Sequence, residues 1–173
     1  PGVSGSGPDL FDRPTGVAVA PNGDIFVTDG HYPNKHMSAR VVKFSKDGRF
    51  IKAWGREGAG QGEFSDPHDI FIGGSENRVY VADRRNNRIQ VFDQDGKFIA
   101  AWTQFGTPSS LFVGKDDTIY VGAAFAEATA KKGELRGIVV GSAKDSSLKA
   151  FIPGILPLAR AVWCSSVDHL WVG

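Results

Sequence analysis

The sequence predicts an all-β fold, a β-propeller built from four-stranded blades. Three observations predict it: a repeat of roughly 40 residues, alternation of apolar and polar positions within each repeat, and two-residue turn signals between the alternating runs. The chain has 173 residues, of which 41% are hydrophobic, enough for the core of one domain. No stretch has the periodicity of a substantial helix.

The repeat is visible when three segments, which begin at Pro14, Pro67 and Pro108, are aligned with a fourth that begins at Ala159. The spacings between these four positions are 53, 41 and 51 residues. The 41-residue copy shows the basic unit, whose length is typical of a propeller blade. We therefore expect a single propeller domain or fragment over 1-173, with blades at about 11-55, 64-103 and 105-153 and a partial blade at 156-173.

The alternating runs within each repeat are typical of β-strands. Val79 and Val81 occupy every second position of one run, as Ile89 and Val91 do in the next, and β-branched and aromatic residues dominate. The runs are separated by dipeptides that favour tight hairpin turns, namely Asn22-Gly23, Asp47-Gly48, Asp95-Gly96 and Asp116-Asp117. Each repeat is therefore predicted to be a four-stranded antiparallel meander.

Three blades and part of a fourth do not complete a ring, because propellers have about four to eight blades. An open arc would leave an apolar face uncovered at each end. At on the order of 500 Å² per face, each exposure costs on the order of 10 kcal/mol. We therefore expect a second copy of the chain to close the ring as a homodimer, or the chain to be a fragment of a longer protein. The stop after "HLWVG", within a predicted strand, favours a fragment.

The propeller topology predicts a site at one end of the central channel. The first residues of each innermost strand and the loop after each second strand open on the same face. This places His68 at the channel mouth, together with residues from two loops, namely His31, Tyr32, His36, Arg84 and Arg85.

The composition of the chain limits the classes of partner that it is expected to bind. The formal net charge is +1, and the basic residues group only at Arg84, Arg85 and Arg88 and at Lys131-Lys132, so nucleic acid is not expected. No apolar run approaches the roughly 18 residues of a membrane span. The single cysteine, Cys164, excludes a disulfide within the chain. A small polar ligand or a peptide remains as the expected partner at the mouth.

Several motifs resemble a known repeat family. The segments "PTGVAVAPNGDIFVTDG", "ARVVKFSKDGRFIKAWG" and "NNRIQVFDQDGKFIAAW", within 11-105, resemble NHL repeats. The segment "VYVADRRNNRIQVFD" with the preceding "PHD", and the long third blade, resemble bacterial NHL propellers grouped with peptidyl-α-hydroxyglycine α-amidating lyase. This resemblance favours a secreted or periplasmic protein.

The resemblance also implies site residues. The lyase family holds zinc on three histidines and places an arginine and a tyrosine near the substrate. His68 stands at one zinc position and Arg84 at the arginine position, whereas His31 stands where the family has tyrosine and Tyr32 is displaced by one. A family His-Asp pair, which holds zinc and calcium, is replaced by Arg160-Ala161. Zinc is thus the candidate cofactor, and calcium is not expected.

Two functions remain open. In the first, the chain is an NHL propeller that binds a ligand or protein without an intact zinc site, through His68, Arg84, Arg85, His36 and Arg160. In the alternative, it is a metal-dependent lyase with His68 as metal ligand or base and with Arg84, Tyr32 and His31 as catalytic candidates. One histidine does not hold catalytic zinc, which normally has three protein ligands.

A structural role is the competing explanation for several of these residues. Asp29 and Asp83 recur at the same blade position, which favours a role in holding turns over a role in catalysis. Beside Asp83, the arginines Arg85 and Arg88 are expected to be solvated.

Overall fold

The computed structural model describes residues 4–5, 7–8, 10–31, 38–123, 137–153, 162–166 and 169–172, the last two ranges by their backbone. Its elements are strands joined by turns, with one turn of 3-10 helix at Arg84–Asn86. The strands are β1 (Pro14–Val19), β2 (Ile25–Asp29), β3 (Arg40–Phe44), β4 (Phe50–Trp54), β5 (Pro67–Gly73), β6 (Arg78–Asp83), β7 (Arg88–Phe92), β8 (Phe98–Trp102), β9 (Pro108–Val113), β10 (Thr118–Ala123), β11 (Gly137–Ser142), β12 (Leu148–Pro153), β13 (Val162–Ser166) and β14 (His169–Val172).

The strands form three antiparallel meanders and one hairpin. The meanders are β1–β4, β5–β8 and β9–β12, and β13 pairs with β14. The all-β prediction of an incomplete propeller is thereby confirmed, since the described blades do not close into a ring. In the described part of the chain, no helix has the length and apolar character needed to cross a membrane.

The innermost strands β1, β5 and β9 lie side by side and are joined by hydrogen bonds between blades. The Thr15 hydroxyl donates to the carbonyl of Pro67 at 2.5 Å. The backbone N–H of Leu111 donates to Oδ2 of Asp69 at 2.9 Å. These bonds hold the starts of successive blades together, which is where the sequence places the channel mouth.

Two apolar clusters fill the spaces between blades. The first, between blades one and two, includes Phe26, Val41, Phe64, Val81 and Phe92. The second, between blades two and three, includes Tyr80, Ile89, Trp102, Leu111, Val121 and Val139. Each cluster combines residues from the facing sheets, so each blade is stabilised mainly by its neighbour.

On the side of the first blade that faces away from the second, the described residues include exposed apolar side chains. Val17 and Val19 in β1 are 65% and 62% exposed, although their neighbour Ala18 is buried against the second blade. Leu148 and Ile152 of β12 are exposed too, but so are Ile51 of β4 and Ile99 of β8, so the outermost strand of every whole blade is open to solvent. The exposed pair in β1 is therefore the apolar surface that is specific to the first blade.

A buried ion pair between Asp83 and Arg88, called the clasp below, holds the linker that enters the second blade. Arg88 Nε donates to Oδ2 of buried Asp83 at 2.7 Å. The rest of its guanidinium donates to the carbonyls of Ala59, Gly60 and Glu63, each at 2.8 Å. Arg88 is thus largely buried in a structural role, and the expectation that it is solvated is wrong.

The same clasp occurs on the first blade. Arg40 Nε lies 3.1 Å from Oδ2 of Asp29, and its NH2 group donates to the carbonyls of Gly7 and Leu10. The recurring aspartates therefore hold turns and linkers, as predicted. At the matching place in the third blade, Ala123 pairs with Gly137, so that blade has no clasp of this kind.

Candidate functional site

Three predicted site residues lie at the same end of the blades. His31 follows β2 after Gly30, Arg84 follows β6, and His68 is the second residue of β5. Because strands of a meander alternate in direction, the end of each second strand lies beside the start of the innermost strand. The register confirms this, since Pro67 pairs with Asp83.

Asp66, just before β5, joins two of these residues. His31 Nδ1 lies 2.8 Å from its Oδ1, and Arg84 NH1 lies 3.6 Å from its Oδ2. The Arg84 backbone N–H also donates to the Asp66 carbonyl at 3.2 Å. The Asp66 side chain is only 3% exposed. Its backbone φ of 59° is in the left-handed region, which aspartate tolerates better than most residues.

Sequence reasoning missed Asp66, although a signal was present. Asp66 directly precedes the Pro-His-Asp motif, while the first and third blades have Arg13 and Thr107 at that place. A carboxylate present in only one blade is more informative about a site than a residue that recurs in every blade.

The two histidines have their Nδ1 atoms occupied. His68 Nδ1 lies 2.8 Å from the carbonyl oxygen of Ser109, and His31 Nδ1 faces the Asp66 carboxylate. Since both partners accept hydrogen bonds, each Nδ1 carries the proton and each Nε2 of a neutral ring keeps its lone pair. No described residue is hydrogen-bonded to Nε2 of either ring.

The rings of His31 and His68 are in contact, with centroids 5.3 Å apart and planes at 65°. Burial lowers the pKa of His68 below its usual value, and the carbonyl of Ser109 opposes that shift while the charge of Arg84 adds to it. His68 is therefore neutral at neutral pH, as a proton acceptor or a metal ligand must be.

Arg84 is the cation of the site. Its side chain is only 19% exposed, and its Nε is buried without a hydrogen-bond partner among the described residues. The 3.6 Å separation from Asp66 is too long for a hydrogen bond. A buried unsatisfied donor costs about 1–3 kcal/mol, so an acceptor that reached this Nε would stabilise the site.

Asp69, next to His68, ties the innermost strands together. Its Oδ1 accepts the N–H of Ile70 and its Oδ2 accepts that of Leu111, both at 2.9 Å. Burial raises the pKa of Asp69 to about 6, against the effect of these two hydrogen bonds. A Cβ at Gly16 of β1 would lie 2.9 Å from Oδ1, so only glycine leaves room for this carboxylate.

The other predicted site residues are not part of this cluster in the described structure. Arg85 is exposed in the 3-10 turn, and its N–H donates to the carbonyl of Ser65 at 3.0 Å. Tyr32, His36 and Arg160 lie outside the described residues.

The described residues do not complete a catalytic zinc site. They include no group of three His, Cys, Asp or Glu side chains that could hold a metal ion. His31 and His68 supply two imidazoles with ordered Nδ1 atoms, whereas catalytic zinc normally has three protein ligands. The Asp66 carboxylate is hydrogen-bonded to His31 Nδ1. It therefore orients this histidine and does not serve as a third metal ligand.

Comparisons with known proteins agree with the fold. The chain is 43% identical over 91 residues to mouse (Mus musculus) peptidyl-glycine alpha-amidating monooxygenase, covering 50% of this chain and 9% of that protein. It is 38% identical over 92 residues to human (Homo sapiens) NHL repeat-containing protein 3, covering 52% of this chain and 25% of that protein. With Drosophila melanogaster peptidyl-alpha-hydroxyglycine alpha-amidating lyase 1 it shares 38% identity over 88 residues, covering 46% and 15%.

Solved structures share the propeller architecture at low identity. Virginiamycin B lyase from Staphylococcus aureus, in a catalytically inactive form with quinupristin, matches with a TM-score of 0.65 and 23% identity, over 93% of this chain and 48% of that chain. A putative exported protein from Bacteroides fragilis matches with a TM-score of 0.67 and 14% identity, over 92% and 44%. The chain thus spans less than half of these structures and a quarter or less of the relatives above.

The family itself follows from the longest sequence match. The sequence pattern of the family described as 6-bladed beta-propeller matches residues 11–121, which is more than half of the chain. The relatives include amidating lyases and NHL repeat proteins, so the predicted resemblance to both is confirmed. The chain belongs to the 6-bladed beta-propeller family.

Proposed function

We propose that this chain is a propeller module that binds a small polar ligand or a peptide through a carboxylate, at the mouth formed by His31, His68 and Arg84. The observation that carries the proposal is the buried Nε of Arg84, which has no partner among the described residues. Arginine suits a carboxylate because its planar guanidinium donates two parallel hydrogen bonds.

The surroundings of Arg84 support this ligand class. Asp66 Oδ2 lies 3.6 Å from Arg84 NH1, so it balances the charge of the guanidinium without accepting a hydrogen bond from that nitrogen. His31 and His68 offer Nε2 acceptors that suit a ligand N–H or O–H group. The C-terminal end of a peptide has both a carboxylate and neighbouring N–H donors. It therefore matches the guanidinium of Arg84 and the Nε2 acceptors of the two histidines.

Replacing Arg84 with glutamine tests the proposal. The probe is N-acetylglycine, measured by isothermal titration calorimetry against N-acetylglycinamide, which has the same size but no carboxylate. We expect the native protein to prefer the carboxylate probe and Arg84→Gln to weaken its binding at least tenfold, because a charge-assisted hydrogen bond is worth about 1.5–3 kcal/mol.

The matched control is Arg49→Gln, which removes the same charge from an exposed turn in the first blade. This control should bind N-acetylglycine as the native protein does. Equal binding of the two probes, or equal weakening by both substitutions, would show that Arg84 does not recognise a carboxylate.

A metal-dependent lyase related to peptidyl-α-hydroxyglycine α-amidating lyase is the second candidate. It is favoured by the two ordered Nδ1 atoms, since metal-bound histidines usually donate the other ring N–H to a carboxylate or carbonyl. This function requires further ligands from outside the described residues. Elemental analysis of protein purified without chelator decides it, and near-stoichiometric zinc would support the lyase whereas near-zero zinc would exclude a resident metal.

The ring that frames this site requires more strands than are described. The described strands supply three whole blades and the first hairpin of a fourth, so about two and a half blades are missing from a ring of six. A second copy is one source of them. In a two-copy ring of six blades, each β13–β14 hairpin must give way to the first blade of the partner.

Sedimentation velocity tests closure by a second copy. We expect the purified chain to sediment as a dimer, because pairing covers the exposed Val17 and Val19 of the first blade. A folded monomer at micromolar concentration would exclude the homodimer and would leave further blades of a longer chain as the cover.

A further inference from the structure

A polar cleft lies between the second and third blades, on the side away from the histidines. Its volume is about 130 Å³, and its lining includes Ser75, Glu76, Arg78, Tyr80, Asp117 and Lys144. These residues come from the β5–β6, β9–β10 and β11–β12 turns and the start of β6. Since His68 is at the start of β5 and the β5–β6 turn is at its end, the cleft and the mouth are on opposite faces.

The first blade shows how the equivalent space between blades one and two is filled. There, Phe26 pairs across the strands with Lys43, whose Nζ lies 5.1 Å from the Phe26 ring centroid. The same Nζ lies 3.1 Å from Oδ2 of Asp24 and donates to the carbonyl of Gln94 in the next blade. The lysine therefore closes the junction between the first two blades.

The second blade has different residues at these two places. Tyr80 stands where the first blade has Phe26, and its cross-strand partner is Val91 where the first blade has Lys43. Val91 is buried in the apolar cluster between blades two and three, and it brings no charge to this end of the junction. At this junction the Ser75 N–H donates to Oδ1 of Asp117 at 2.6 Å, and beside that bond a hydroxyl replaces the bare end of a phenyl ring.

The Tyr80 side chain contributes its hydroxyl to the lining of this cleft. Tyr80 is only 2% exposed, and no described residue is hydrogen-bonded to its oxygen. Burial raises the pKa of Tyr80 to about 12, so the hydroxyl stays protonated and can donate. A Cβ at Gly74 would lie 3.3 Å from this oxygen, and the glycine, with φ of 74°, leaves it uncovered.

The charges around the hydroxyl balance one another. Arg78 Nε donates to Glu76 Oε2 at 2.8 Å, and Lys144 Nζ lies 3.4 Å from Oδ2 of Asp117. The cleft thus has two cations, two anions and the Tyr80 hydroxyl, with no net charge. Such a lining neither attracts nor repels a charged ligand strongly, but it offers many donors and acceptors at short range.

We propose that this cleft binds a neutral, polyhydroxylated small molecule, such as a single sugar unit. Adjacent hydroxyls of a sugar both donate and accept hydrogen bonds, which matches carboxylates and cationic donors that are already paired with each other. The Tyr80 hydroxyl would donate to one ligand oxygen at the base of the cleft. The exposed Lys144 and Glu76 would contact hydroxyls at its rim.

Ligand-observed saturation-transfer NMR with methyl α-D-glucopyranoside tests this proposal. The native protein should saturate the probe, and Tyr80→Phe should weaken its binding about fivefold, because one neutral hydrogen bond is lost. The first blade already carries phenylalanine at this place, so the variant should fold. Lys144→Ala, at a side chain that is 71% exposed, is a second variant that should also weaken binding.

The matched control is Tyr120→Phe, the equivalent tyrosine of the third blade, which does not line the cleft. It should leave glucoside binding unchanged. The proposal is overturned if the glucoside gives no saturation transfer, if Tyr80→Phe and Lys144→Ala both bind it as the native protein does, or if glycine, a small zwitterion, binds in its place.

Discussion

Replacing Asp83 with alanine is expected to destabilise the protein by about 3–5 kcal/mol, the usual cost of removing one partner from a buried ion pair. The Asp83 side chain is fully buried and accepts hydrogen bonds from four different residues. Its Oδ1 accepts the N–H of Ser65, and its Oδ2 accepts side-chain donors of Asn86, Arg88 and Gln90. A loss of this size is comparable to the net stability of many small domains.

The expected loss of stability is large because Asp83→Ala leaves the charge of Arg88 without its carboxylate partner. Arg88 is 12% exposed, and without Asp83 its guanidinium would keep carbonyl partners but lose its only described carboxylate. Ser65, whose N–H would lose its acceptor, directly precedes Asp66. The substitution should therefore also loosen the contacts of Asp66 with His31 and Arg84, so that N-acetylglycine binding weakens together with stability.

Urea unfolding of the single and double variants measures the effect. The double variant Asp83→Ala with Arg88→Met should be less destabilised than the sum of the two single variants, because no charge remains unpaired. The third blade, which has Ala123 opposite Gly137, is a natural example of a blade without the clasp. If Asp83→Ala lowered the free energy of unfolding by less than about 1 kcal/mol, the clasp would behave as a solvated ion pair that contributes little to stability.

Replacing Phe64 with alanine is expected to cost about 3–5 kcal/mol, as for other large buried aromatic side chains. Phe64 is fully buried in the first apolar cluster, where its ring centroid lies 5.7 Å from that of Phe92. It belongs to the linker between blades one and two, not to a strand. Gly55 makes room for it, since a Cβ there would lie 2.4 Å from the Phe64 ring.

Phe11 provides the matched control for Phe64. It occupies the corresponding place in the linker of the first blade, where it is only half-buried and contacts Phe44 at 5.9 Å between ring centroids. Phe11→Ala should therefore cost distinctly less than Phe64→Ala in the same thermal unfolding assay. Equal costs would mean that the first linker is covered in solution, as it would be if a further blade or a second copy packed against it.

The fold was predictable because its signals are local. The alternation around Val79 and Val81 has a period of two, which is set by the strand geometry alone, and the Asp95-Gly96 turn is fixed by backbone preference. Because the same signals recur in three segments of the sequence, the repeat strengthened the prediction of strands and turns. From the sequence alone, His68 and Arg84 could be placed at one end of the blades.

The details of the candidate site were less accessible to sequence reasoning. Asp66 was missed because its partner His31 is 35 residues away and belongs to another blade. Arg88 was expected to be solvated because its neighbours in sequence are polar, but the carbonyls that bury it come from a linker 25 to 29 residues earlier. The periodicity of a sequence does not reveal contacts between residues that lie this far apart in the chain.

The sequence by itself determined the all-β class, the four-stranded repeat and the end of the blades where His68 and Arg84 lie. The tertiary structure alone decided that His31 meets His68, that Asp66 orients His31, and that Tyr80 lines a cleft together with turn residues of the second and third blades. The physical reason is the range of the interactions. Strand periodicity and turn preference act over a few neighbouring residues, whereas contacts between blades depend on how separate sheets pack across their apolar faces.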